Sequence, residues 1–434
     1  MRPISRHCTS LLSILALLVM SLTAHAQTVT ATLEGRVSDS TGAVLPKATV
    51  KAVNNNTGYT RTTTTSDTGD YQMPLLPVGS YTVSAELTGF KTYSRQVTLQ
   101  VSANAVADFA LTVGEVQQQV EVQGTSEAAE PTRTMVSSVI NENQIKSLPV
   151  NGLQFIDFAL LAPGVAIGDT TSGSTDVIIE PVTKLSFASQ NIHYNFIAVD
   201  GADNISTASG VQRTTPSQES VREFRVINTT YSTEMGRAVG GIVNIITKGG
   251  TNNWHGSAYE YFRNNKMDAR SILASPDPAT CNVPGDVSSG GCHLLTKLQQ
   301  NQFGVTLGGP IRKDKTFIFA NYEGQRRQES PFYNSIINTN ITLINDRKCT
   351  LFGALPAPLP GSPCPAGSLP LENLNVTRTQ DYNNFFVRLD HTISDRHYLF
   401  LRYFFHDQKA LNTSPLNDGF DLPSGFKDNA FRDH

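Results

Sequence analysis

The chain of 434 residues is 39% hydrophobic and 16% charged, with 34 Lys and Arg against 37 Asp and Glu. Its charge content lies below the roughly 25% of ordinary soluble domains, and a net charge of −3 argues against nucleic acid as the main partner. The length suggests two to four domains, and 32 glycines with Thr- and Asn-rich stretches point to β-rich, turn-rich structure.

At the N-terminus, Arg2 and Arg6 precede an apolar run from Leu11 to Val19, and Ala24-His25-Ala26 supplies a small-x-small site before Gln27. This reads as a secretory signal peptide over residues 1–26, cleaved between Ala26 and Gln27. The apolar run is shorter than the ~20 residues a membrane span needs. Cys8 precedes it without a lipobox, and no later segment reads as a transmembrane helix, so any residence in a membrane must use β-structure. The other four cysteines, Cys281, Cys292, Cys349 and Cys364, are candidate disulfide formers in an exported chain. Three pairings are open; the short separations favour Cys281 with Cys292 and Cys349 with Cys364.

Residues 27–113 alternate short β-rich runs with turns. The runs are Leu33–Val37, Thr49–Val53, Tyr59–Thr64, Gly69–Met73, Ser80–Leu87 and Tyr93–Leu99. Strands about ten residues apart predict a small antiparallel sandwich. Gly35-Arg36-Val37-Ser38-Asp39 with Gly42, Pro46-x-Ala48-x-Val50, Thr68-Gly69-Asp70-Tyr71 and Leu76-Pro77-x-Gly79-x-Tyr81 resemble the carboxypeptidase regulatory-like domain. That resemblance implies a transthyretin-like, carbohydrate-binding-like sandwich with no peptidase chemistry. No histidine is followed by Glu three residues on, and no HExxH is present.

Residues 114–134 read as a last edge strand and a polar linker. An extended segment of this kind suits capture by strand addition. Its position resembles that of the TonB box in TonB-dependent receptors, which makes Glu115, Val116, Gln117, Gln118, Gln119 and Val120 the candidate box.

Residues 135–250 read as an α+β unit. A short helix over Asn141–Leu148 stops at Pro149, and Asn151 with Gln154 predicts a capping box for a second helix. Ala162-Pro163-Gly164 ends that helix, and strand-like runs follow over Ile192–Val199, Val221–Ile227 and Gly241–Thr247. Asp200 and Asp203 read as a turn signature rather than a catalytic pair. Ile145-x-x-Leu148-Pro149, Ala198-Val199-Asp200-Gly201, Val221 to Val226 and Gly240 to Lys248 resemble the plug of TonB-dependent receptors. The usual Gly-Pro after the middle strand is Asn228-Thr229 here, a departure that resembles the Oar-like subgroup.

Residues 251–434 change to aromatic strands: Ser257–Arg263, Gln302–Gly308, Thr316–Glu323, Asn384–Thr392 and His397–Asp407. Phe303, Val305 and Leu307 oppose Gln302, Gly304 and Thr306; Leu399, Leu401, Tyr403 and Phe405 oppose Arg402. Connections alternate long and short, as in an outer-membrane barrel, where the apolar face meets lipid. Trp254, Tyr259 and Tyr261 are candidates for an interfacial girdle. Thr247-Lys248-Gly249-Gly250-Thr251-Asn252, Trp254-His255-Gly256-Ser257 and Leu307-Gly308-Gly309-Pro310-Ile311 also resemble the Oar-like family.

The expected fold is mainly β: a sandwich, an α+β plug and the first strands of a transmembrane barrel. Five strands are too few to close around a plug, so the sequence reads as an N-terminal portion of a longer receptor that by itself neither inserts nor transports. The resemblance implies an outer-membrane location, a TonB-type energy-transducing partner and active uptake of a carbohydrate or other nutrient, with no cofactor, metal or enzymatic step. A surface carbohydrate-binding or adhesion protein is the alternative.

Overall fold

The computed structural model describes residues 30–114, 120–127, 135–148, 154–168, 183–206, 210–213, 215–231, 236, 238–267, 298–329, 378–395, 397–412 and 427–433. The signal segment with Ala26 and Gln27, the candidate box residues Glu115 to Gln119, and Cys281, Cys292, Cys349 and Cys364 lie outside the described residues.

The first unit is a sandwich of two sheets. β1 (Thr30–Asp39), β2 (Thr49–Asn54), β3 (Thr60–Thr64), β4 (Asp70–Pro77), β5 (Gly79–Glu86) and β6 (Tyr93–Leu99) fall on the expected runs. β7 (Asn104–Val106), β8 (Phe109–Leu111) and β9 (Val120–Glu127) add to them. One sheet runs β4-β1-β7 with β8 also on β1; the other runs β3-β2-β5-β6-β9. Alternate residues of β5 are buried and the others are not, the period of two that a half-buried strand requires. Leu33, Val50, Tyr81, Val83, Val97 and Phe109 meet in the core. The unit is not purely antiparallel: β7 and β8 lie parallel to β1, and β9 lies parallel to β6. Gly35 has no room for a side chain, because a Cβ there would sit 2.1 Å from the Ala107 carbonyl oxygen.

The second unit centres on a five-stranded sheet, ordered β10-β17-β18-β13-β14. Its strands are β10 (Val136–Ile140), β13 (Phe196–Val199), β14 (Ala202–Asp203), β17 (Val221–Thr229) and β18 (Ile242–Thr247). Two small two-stranded antiparallel sheets accompany it, β11 (Val165–Ile167) with β12 (Leu185–Phe187), and β15 (Ile205–Ser206) with β16 (Val211–Gln212). Every residue of β18 is buried, which explains its unbroken apolar run. Helix α1 (Glu142–Ser147) starts in a capping box between Asn141 and Gln144. The expected second helix is a 3-10 turn over Phe155–Leu161, and its N-cap Gln154 makes no side-chain cap. The capping box thus belongs to the first helix. Phe155 instead serves the core, edge-on to Phe224 at 5.7 Å.

The third unit is one antiparallel sheet of long strands: β19 (His255–Asn264), β20 (Leu298–Arg312), β21 (Thr316–Glu329), β22 (Arg378–Ser394), β23 (His397–Asn412) and β24 (Lys427–Asp433). β24 is an addition to the five expected strands. β19 and β24 are the edges, so the described sheet is open. Its polarity is the reverse of a soluble domain's. Phe303, Val305 and Leu307 are 36%, 50% and 53% exposed, whereas Gln302 and Thr306 on the other face are 2% and 8% exposed. Leu399, Leu401 and Tyr403 are likewise exposed, with Gln380, Asn384, Arg388, Asp390 and His406 buried. Water does not select such an arrangement; hydrocarbon outside and a polar interior do.

Candidate functional site

The polar face of the long-stranded sheet holds the second unit against it through one ionic cluster. Its centre is Asp200, in the two-residue connection between β13 and β14. Asp200 and Gly201 both have positive φ, 44° and 79°, as a type I′ hairpin turn requires. The turn aims the carboxylate back at β18: Oδ1 accepts from the Thr247 backbone N–H at 2.9 Å, and Oδ2 from the Thr247 hydroxyl at 2.7 Å.

Two arginines of the long strands complete the cluster. Arg388 on β22 donates from Nη1 to Asp200 Oδ1 at 3.1 Å and to the Thr247 carbonyl at 3.2 Å. Arg402 on β23 donates to Asp200 Oδ2 at 3.2 Å and to the Val199 carbonyl at 2.7 Å. Arg388 Nε also pairs with Asp390 Oδ1 at 2.9 Å, and the Tyr398 hydroxyl donates to that same oxygen. The Arg388 guanidinium stacks 4.8 Å from the centre of the Phe400 ring. Only 1% of the Asp200 side chain and 10% of the Arg388 side chain are exposed. A buried charge is costly unless paired and hydrogen-bonded, and each charge here is both.

The segment leaving β18 is tied down as well. Lys248 Nζ lies 3.2 Å from Glu142 and 3.8 Å from Glu219. Burial alone would raise the Glu142 carboxyl; the hydrogen bond from Lys146 and the charge of Lys248 together hold it below the usual carboxylate range. A Cβ at Gly250 would meet the carbonyl oxygens of Ile318 and Gly309 at 2.5 and 2.7 Å, so only glycine lets the chain pass this close to β20 and β21. Ser217 adds a further tie, donating to Asn321 at 2.8 Å.

The first unit docks on the same end. The Tyr59 hydroxyl and Arg61 Nη1 each donate to the Asp395 carbonyl in the short β22–β23 turn, both at 2.9 Å. The Asn252 N–H donates to the Asn56 carbonyl at 2.8 Å. The Val101 N–H donates to Glu223 of β17 at 2.6 Å, and Val78, Val101 and Ile246 form a small apolar contact. Burial pushes the Glu223 carboxyl above its usual range.

Among the sequence candidates, Val120 is the first residue of β9. Of the three aromatics expected in an interfacial girdle, Tyr259 and Tyr261 lie on the polar face of the sheet and Trp254 on the apolar face. Trp254 is 60% exposed and packs where Gly309 lacks a side chain. Tyr259 and Tyr261 pair with Gly304 and Gln302 on the polar face, and Tyr259 donates to the buried Glu323 at 2.7 Å. The Asp200–Gly201 turn is present, but its role at the interface was not legible locally. The available signal was Arg388 and Arg402, charged residues on the polar faces of strands rich in aromatics. Among the described residues no group of three His, Cys, Asp or Glu is placed to hold a metal.

Two families match parts of the chain. Residues 32–112 match the carboxypeptidase regulatory-like domain family, and residues 246–343 match a family described as an outer membrane beta barrel domain. The TonB-dependent transporter Oar of Myxococcus xanthus is 28% identical over 285 residues, which cover 63% of this chain and 24% of that protein. The chain therefore spans about a quarter of that relative's length. Among solved structures, the siderophore receptor PirA from Acinetobacter baumannii is 18% identical with a TM-score of 0.38, covering 65% of this chain and 33% of that one. The outer membrane transporter YddB from Escherichia coli is 12% identical with a TM-score of 0.42, covering 64% and 34%.

Proposed function

We propose that this chain, an outer-membrane β-barrel protein related to the Oar-like TonB-dependent receptors and fronted by a carboxypeptidase regulatory-like domain, contributes the plug and the first barrel strands to active, non-enzymatic uptake across the outer membrane. The observation that carries this reading is the inverted polarity of the long-stranded sheet, with its polar face buried in part against the α+β unit. That unit takes the place of a plug, and the Asp200 cluster is the joint between plug and barrel wall.

In this reading the partner is a TonB-type energy-transducing protein that takes the connector by strand addition. Work done on the connector then disturbs the plug at the joint that holds it. A joint of paired charges suits such a task, because it is strong when complete and is lost sharply once one partner moves away. In the same reading, disulfides among Cys281, Cys292, Cys349 and Cys364 staple the long outer loops of the barrel.

The test is retention of the full chain by an immobilised C-terminal domain of a TonB protein, comparing wild type with Val116→Pro. Retention of wild type and its loss in the variant are expected. No retention of wild type sinks the partner assignment.

A further inference from the structure

We infer that the β20–β21 turn, Arg312-Lys313-Asp314-Lys315, together with Trp254 and Ile311, is a docking surface for anionic phospholipid headgroups in the periplasm-facing leaflet of the membrane. The inference rests on the outer-membrane reading above and adds a lipid class to it.

The apolar face of the sheet ends in large side chains at this turn. His255 pairs with Gly308, which sets Trp254 beside Gly309, and Gly309 pairs in turn with Ile318. The indole fills the space over Gly309, where a Cβ would meet its ring at 2.3 Å. Trp254 and Ile311 are each 60% exposed. A Trp at the margin of an apolar band marks the depth at which hydrocarbon gives way to headgroups.

The cations begin there. Arg312 lies three residues beyond Gly309, about 10 Å along the strand. Arg312, Lys313 and Lys315 are all exposed, and among the described residues none of the three enters an ion pair. The acidic residue of the turn is directed elsewhere: Asp314 Oδ1 accepts from Asn252 Nδ2 at 2.7 Å, and the Asp314 N–H donates to Asn252 Oδ1 at 2.9 Å. The turn is also fixed to its neighbour, because the Lys315 carbonyl accepts from the Thr392 N–H at 2.8 Å. Three cations less one carboxylate leave the turn at +2, and the β22–β23 turn beside it adds the carboxylate of Asp395, so the rim stays positive. Lys and Arg at such a margin lay their stems along apolar surface and reach phosphate with their heads.

The choice of leaflet follows from the connections. The turn between β20 and β21 is short, whereas residues 265–297 and 330–377, at the opposite ends of these strands, are long connections. Short turns of an outer-membrane barrel face the periplasm. The sandwich docks at the same short-turn end, through Tyr59 and Arg61 to Asp395 and through Asn56 to Asn252. The whole chain carries −3, so its overall charge opposes an anionic bilayer, and attraction to one has to come from a local patch.

The test is flotation of the full chain with vesicles of phosphatidylcholine, alone or with roughly a third phosphatidylglycerol, comparing wild type with the triple variant Arg312→Gln, Lys313→Gln, Lys315→Gln. Wild type is expected to prefer the anionic vesicles, less so at high salt. At about fivefold per cation, the triple variant is expected to lose up to about a hundredfold of that preference. A second triple variant, Lys47→Gln, Lys51→Gln, Lys266→Gln, removes the same charge from exposed lysines outside the turn and is expected to keep it. A fall of less than about threefold in the first variant, or an equal fall in the second, overturns the site. Equal flotation of wild type on both vesicles also overturns it and leaves the lipid-facing reading of the sheet intact. Flotation of wild type on neither overturns that reading, and the headgroup site with it.

Discussion

Replacing Asp200 by Asn tests the joint with little change of shape. The amide oxygen still accepts from the Thr247 N–H, and Asn tolerates the positive φ of 44°. What disappears is the charge facing Arg388 and Arg402 and the strong acceptor for the Thr247 hydroxyl. Removing one partner of a buried pair costs about 3–5 kcal/mol. Arg388 keeps Asp390, and Arg402 keeps the Val199 carbonyl, so the lower end applies, about 3 kcal/mol. At about 1.4 kcal/mol per tenfold, that is over a hundredfold. Native-state hydrogen exchange reads it at the Thr247 amide and at the Lys248 amide, which donates to Ser220. Both are expected to exchange over a hundredfold faster in the variant. The exposed neighbour Asp203, which caps the Ile205 amide, provides the control: Asp203→Asn costs about 1 kcal/mol or less. Exchange in Asp200→Asn within threefold of wild type would refute a joint centred on this carboxylate.

Leu401→Arg places a charge on the exposed apolar face, where Leu401 is 68% exposed; in a phospholipid bilayer it is expected to cost about 2–4 kcal/mol, and equal unfolding midpoints for variant and wild type would oppose a lipid-facing assignment. Gly250→Ala pushes a methyl against the Ile318 and Gly309 carbonyls, at about 1–3 kcal/mol, and is expected to raise protease cleavage between β18 and β19. Burial raises the Glu223 carboxyl against the opposing hydrogen bond from the Val101 N–H, so its ionisation weakens the folded state: that contribution to stability is complete below the unfolded carboxylate range, about 4.3, and is lost as pH rises through the raised value. Glu223→Gln is expected to flatten that dependence, followed as Val101 amide exchange against pH.

Features of period two were legible in the sequence, because alternation along a strand is local. The faces of β20 and β23 followed directly from Phe303-Val305-Leu307 and Leu399-Leu401-Tyr403. The same parity corrects the girdle: Trp254 and Tyr259 are five residues apart, so they cannot share a face of one regular strand. β24 was missed because Lys427-Asp428-Asn429 holds few β-formers and takes its conformation from pairing with β23. The parallel additions β7, β8 and β9 were out of reach for another reason. Nothing in a short run says which distant strand it will join.

The Asp200 cluster shows where local reading stops. Asp-Gly explains itself as a turn, and a turn is what it forms. Yet glycine or asparagine at position 200 would meet the backbone requirement at least as well. The carboxylate is explained only by Arg388 and Arg402, 188 and 202 residues further along the chain. Residue type at this position therefore answers two demands. The turn accepts several residues, and the arginines narrow them to one with a short side chain and a negative charge. Glu is excluded by the same geometry, since its extra methylene would carry the carboxylate past the Thr247 amide that Oδ1 now meets at 2.9 Å. A turn residue that is buried and charged, between a strand of the second unit and two cations of the sheet, marks the place where these two bodies are held together.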